Sequence, residues 1–186
     1  MKRLRVSLIA VLVLVAAMPL RAAPLSSEQQ AAHALNRLAF GPRPGDIERV
    51  ARLGVRKYID EQLDPGSIPM PVELTRRLAA LDTPNRSAGD VLGEFVELRR
   101  EVRNEEEGAQ QRRRAALAKM TREMAEARLV RAVESPRQLE EVMVDFWFNH
   151  FNVFAGKGID RALVASYERD AIRPFALGSF RDLLGA

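Results

Sequence analysis

The chain has 186 residues, 47% hydrophobic and 29% charged, which is enough for one domain with a sizeable core and excludes wholesale disorder. Its net charge of +4 resides in Lys2, Arg3, Arg5 and Arg21, the only charged side chains before residue 22; the rest holds 25 basic and 25 acidic residues. A neutral body excludes nucleic acid as a general partner, and the absence of cysteine excludes disulfides, thiolate metal sites and thiol nucleophiles.

Residues 1–22 read as a signal peptide. MKRLR is a basic start, Val6 to Ala17 is an apolar run of twelve residues, Pro19 breaks it, and the small pair Ala22-Ala23 follows. A bilayer-spanning helix needs about 20 apolar residues, so no stable membrane anchor is expected once the leader is cut. Cleavage after Ala22 leaves a mature chain of residues 23–186 in the periplasm or the medium; an uncleaved N-terminal anchor is the alternative.

From there the pattern is helix after helix, with no segment of period two. Ser27 with Gln30 makes a capping box for a helix that runs to Phe40 and stops at Gly41-Pro42. Asp46 caps a second helix ending at Gly54. A third covers Val55 to Leu63, and Pro71 to Leu81 carries leucines at helical spacing before the loop DTPNRSAG. Residues 90–134 form a densely charged helical segment with its break at Asn104 to Gly108. Leu92, Phe95 and Val102 mark one stripe there; Leu117, Met120, Met124 and Ala127 mark another. The run Arg112 to Arg114 lies near the acidic run 105–107 and reads as a solvated helix face.

Ser135-Pro136-Arg137-Gln138 signals the next helix, with Ser135 as its cap and an end near Gly156 or Gly158. At 100° per residue, Leu139, Val142, Met143, Phe146, Trp147, Val153 and Phe154 fall on one face. His150 lies near the centre of that face, so it is expected to be buried, with Glu141, Asp145 and Asn149 opposite. Neither residue four positions from His150 is a ligand, which argues against a metal site on this helix alone. His33, Asn36, Arg37 and Phe40 point away from the Ala31, Leu35, Leu38 and Ala39 stripe of the first helix. Asp160 caps a helix to about Ile172, in which Asp170 can pair with Arg173, and Pro174 opens the last one. No G-x-S-x-G, P-loop or G-x-G-x-x-G pattern occurs, so no cofactor is indicated.

The segments HALNRLAFGPRPGDIERV, FWFNHFNVFAGKG and YERDAIRPFALGSFRDLL together resemble the opening part of the bacterial domain of unknown function 1800 family. The resemblance runs from about His33 onward and is weak between Pro65 and Glu134. Phe148 departs from it, standing where members often carry a polar residue such as histidine. It implies an exported helical protein, often encoded beside a secreted sulfatase-like family that would be its partner. It also implies further sequence downstream, since members are longer. His33, Arg37, Trp147, Asn149 and His150 become the site candidates.

The fold expected is therefore an all-α, irregular bundle of six to eight helices, the N-terminal part of a larger helical domain. Two functions follow. One is a non-catalytic scaffold or interaction module for a secreted partner. The other is part of an exported hydrolase-like enzyme acting on cell-surface or polysaccharide material. In the second, His33 and His150 meet as acid and base or as metal ligands, with Arg37 and Asn149 beside them.

Overall fold

The computed structural model, which describes residues 24–154, 156 and 158–186, contains nine α-helices and no strand among those residues. The expected signal peptide lies outside them. The helices are α1 (Ser27–Leu38), α2 (Asp46–Leu53), α3 (Val55–Leu63), α4 (Val72–Ala79), α5 (Ala88–Arg103), α6 (Ala109–Glu134), α7 (Gln138–Phe151), α8 (Asp160–Ser166) and α9 (Phe180–Gly185). No helix among the described residues is long and apolar enough to cross a membrane.

Helix starts are set by local chemistry, displaced from the expected residues at several points. The capping box belongs to Ser26, one residue before the expected Ser27: the Gln29 N–H donates to Ser26 Oγ, and the Ser26 N–H donates to Gln29 Oε1. Asp46 lies inside α2, whose N-cap is Gly45. Its carboxylate instead accepts from the Arg43 backbone N–H and pairs with Arg43 and Arg49. Burial works against that charge, but the Arg43 amide and the two guanidinium groups outweigh it and hold the carboxyl below its ordinary range. The α2–α3 junction is Gly54, at φ +90°, a left-handed conformation that favours glycine.

Three apolar clusters form the interior. Ala31, Leu35, Val50 and Tyr58 join α1, α2 and α3. Val91, Phe95, Leu117, Met120 and Ala162 join α5, α6 and α8. Val144, Ile172 and Ala176, with Trp147 and Phe148 against them, join α7 to the segment after α8. The buried α5 stripe is Val91, Phe95 and Leu98, which shares Phe95 with the expected stripe, while Leu92 and Val102 are only partly buried; the α6 stripe falls where expected, on Leu117, Met120 and Ala127.

Buried amides and carboxylates tie these clusters together. Gln62 of α3 donates to Pro136 O at 3.0 Å and accepts from Leu139 N–H at 3.0 Å. Gln138 donates to Ala132 O and Ser135 O and accepts from Phe40 N–H. Glu123 of α6 accepts from Thr83 N–H at 2.7 Å, and that bond, against the penalty of burial, lowers its pKa. Each of these bonds satisfies a group that would be costly to bury alone. Ser135 closes α6 rather than capping α7: α7 starts at Gln138, and the Ser135 hydroxyl accepts from Arg137 N–H. α7 also ends earlier than expected, with Asn152 left-handed just past Phe151.

Candidate functional site

Two neighbouring features hold the chemistry. One is a cleft of about 560 Å³ between the end of α1 and the outer face of α7. The other is a buried cluster of ion pairs on the inner face of α7.

The cleft gathers three of the four catalytic candidates: Arg37 from α1, Asn149 and His150 from α7. Phe40 and Phe146, each about half exposed, stand on its two sides. His33 is exposed on α1 and is not among the lining residues. His33, Asn36, Arg37 and Phe40 all lie on the solvent side of α1, as their spacing predicts.

His150 is exposed, which corrects the expectation that it is buried. The aromatic face of α7 is real but only partly covered: Leu139 is buried and Trp147 packs on the Val144 cluster, whereas Phe146 and His150 are exposed. His150 stacks on Phe146 at 5.8 Å between ring centroids and meets Trp147 and Phe151 edge-on at 5.6 and 5.4 Å. Trp147 is the anchor of this group. Its Nε1–H donates to Ala176 O at 3.0 Å, and its ring packs on Phe151 and on Phe180 of α9. Asn149 donates to the Asp145 carbonyl of its own helix at 2.8 Å.

The inner face of α7 carries Glu141, expected on the polar side but only 6% exposed. Arg173 donates to both its oxygens, at 3.0 and 2.9 Å, and to Glu168 at 3.2 Å. The backbone makes this geometry. After α8 the chain continues as a π-helical turn, Tyr167–Ile172, in which the Arg173 N–H reaches Glu168 O. That spacing puts residues five apart on one side. Asp170 therefore pairs with Arg169 rather than with Arg173 as expected. Burial opposes the Arg173 charge, but the field of Glu141, its hydrogen bonds and Glu168 raise the pKa further. Arg128 of α6 pairs with Asp145, lies 3.5 Å from the second Glu168 oxygen, and stands 4.1 Å over the Phe148 ring. That Glu168 oxygen is buried with no hydrogen-bond partner, so the Arg128 contact is an ion pair only. Phe148, where a polar residue was expected from the family pattern, thus serves as a cation–π partner.

Nothing local in the sequence marks the Glu141–Arg173 pair, because its members lie 32 residues apart. Glu168 and Arg173, five apart ahead of Pro174, carry a weak signal: proline lacks the N–H that continues an α-helical ladder. Among the described residues no group of three or more His, Asp or Glu side chains is placed to hold a metal ion.

Comparison with curated proteins and with solved structures finds no match. The family model described as protein of unknown function (DUF1800) matches residues 33–186, most of the chain, and the chain therefore belongs to that family.

Proposed function

We propose that this chain is an exported, non-catalytic interaction module that holds a secreted partner protein against the α1–α7 cleft. The observation that carries this reading is the pair of half-exposed rings, Phe40 and Phe146, flanking a cleft that also presents Arg37 and His150. Aromatic and arginine side chains around a concavity are the groups that dominate protein-binding energy. The partner is the sulfatase-like protein that the family resemblance implies, and export rests on the composition of residues 1–23. The hydrolase reading is supported less well, because His33 lies outside the cleft that holds His150.

A binding titration of that purified partner against the protein tests the proposal. Arg37→Ala and Phe146→Ala should each weaken association by about tenfold or more. Unchanged affinity in both variants, or no association of the unaltered protein, overturns it. Export has its own check. Mass spectrometry of periplasmic or secreted protein should find a chain starting near Ala23, and an intact Met1 on cytoplasmic protein refutes it.

A further inference from the structure

On the side of α7 away from the aromatic face, a cleft of about 340 Å³ opens between α4, the end of α6 and the start of α7. Arg131 and Glu140 both line it. Neither side chain makes a hydrogen bond or an ion pair among the described residues, although Arg131 lies in the field of Glu141, Glu168 and Glu140, and Glu140 in that of Arg173, Arg137 and Arg131. Both are partly buried. Burial, with Arg173 nearby, lowers the Arg131 pKa, and burial raises that of Glu140, so each charge is held in a setting that disfavours it.

Each of the other polar groups of the cleft is engaged through at least one atom. Arg173 and Glu141 hold one another, Arg137 Nε donates to Ile68 O, and Asn85 donates to Leu78 O and Leu81 O. Partly desolvated charges of opposite sign that line one space without a direct hydrogen-bonded partner fit a ligand that brings a hydrogen-bonding charge to each. The volume is at the small end for ligand sites, and Met70, Leu78 and Ala79 provide apolar wall.

We propose that this cleft binds a free α-amino acid with an apolar side chain, its carboxylate on the Arg131 guanidinium, its ammonium on the Glu140 carboxylate, and its side chain toward Met70 and Leu78. Binding is non-covalent and independent of the α1–α7 cleft. Charge-assisted bonds at both ends make the site selective for the zwitterion over either half of it.

Calorimetric titration of the whole protein with L-methionine, N-acetyl-L-methionine and L-methionine methyl ester tests this, since each derivative removes one charge. L-methionine should bind in the millimolar range or tighter, and each blocked form about tenfold or more weaker. Arg131→Gln should remove the preference for L-methionine over the ester, and Glu140→Gln the preference over the acetyl form. No saturable binding of L-methionine, or equal affinity for all three compounds, overturns the proposal. The three-compound comparison uses the unaltered protein and stands even if a variant fails to fold.

Discussion

Glu141 and Arg173 form the most consequential pair of side chains in this molecule. Both oxygens of the carboxylate are engaged, and the pair is largely withdrawn from water. Removing one member strands the other in a poorly solvated place. Glu141→Ala should therefore cost about 3 kcal/mol, the low end of such losses because Glu168 still faces Arg173. Urea unfolding at neutral pH measures it, and a loss below about 1 kcal/mol would mean the pair is effectively solvated. His150 should behave in the opposite way. Its ring is exposed, so His150→Ala should change stability by no more than about 0.5 kcal/mol, while Trp147→Ala, which loses the Ala176 bond and the ring contact with Phe180, should cost about 3 kcal/mol or more. The same two residues show what a sequence can and cannot reveal. The spacing of Phe146, Trp147 and His150 correctly places them on one face of a helix. The burial of Glu141 on the neighbouring face depends on Arg173, which arrives from a distant turn and offsets the cost of withdrawing the carboxylate from water. Hydrophobic periodicity contains no term for that partner.

At the scale of elements, legibility followed the strength of local signals. α3 spans Val55–Leu63 as its pattern predicts, because Gly54 and the Asp64-Pro65-Gly66 stop leave little freedom at either end. The break between α5 and α6 likewise falls at Asn104 to Gly108. α7 starts later than its Ser135-Pro136 signal implies because that pair serves two neighbours at once: the serine ends α6, and the turn it makes leaves Gln138 to begin the next helix. Two glycine substitutions separate backbone strain from crowding. Gly54→Ala meets no atom within 4 Å but forces a side chain onto φ +90°, and should cost about 1–2 kcal/mol. Gly93, in the exposed face of α5 and equally uncrowded, has an ordinary helical conformation. Gly93→Ala should stabilise the protein by about 0.4–1 kcal/mol. Thermal unfolding of the two variants should shift in opposite directions. Parallel shifts would contradict a backbone origin.

For the whole molecule, three modest apolar clusters are held in register by buried polar groups, so stability should respond to pH through those groups. Asp46 and Glu123 have carboxyls held below their ordinary range, by the Arg43 and Arg49 contacts and by the Thr83 amide respectively, each against the cost of burial. Their stabilising contribution is present above the unfolded values, about 4, and is lost as pH falls through the lower folded values. Glu140 has the opposite sign. Burial raises its pKa, so its contribution is favourable below about pH 4 and is lost as pH rises through the folded value. Above that folded value an ionised Glu140, with no hydrogen-bonded partner, is a cost to the fold. Glu140→Gln keeps the shape and removes the charge, and should stabilise the unliganded protein at pH 7 by about 0.5–1 kcal/mol. The gain should shrink as the solution is acidified toward pH 4, where the native carboxyl is itself protonated. Asp46→Asn should do the reverse, destabilising at pH 7 and converging with the unaltered protein in acid. Chemical denaturation of the three proteins between pH 4 and 7 reads both trends, and a pH-independent gain for Glu140→Gln would show that the carboxylate is freely hydrated in the cleft. A residue that lowers stability where it stands, yet faces an open site with its opposite charge, is the pattern expected when function rather than folding sets the side chain.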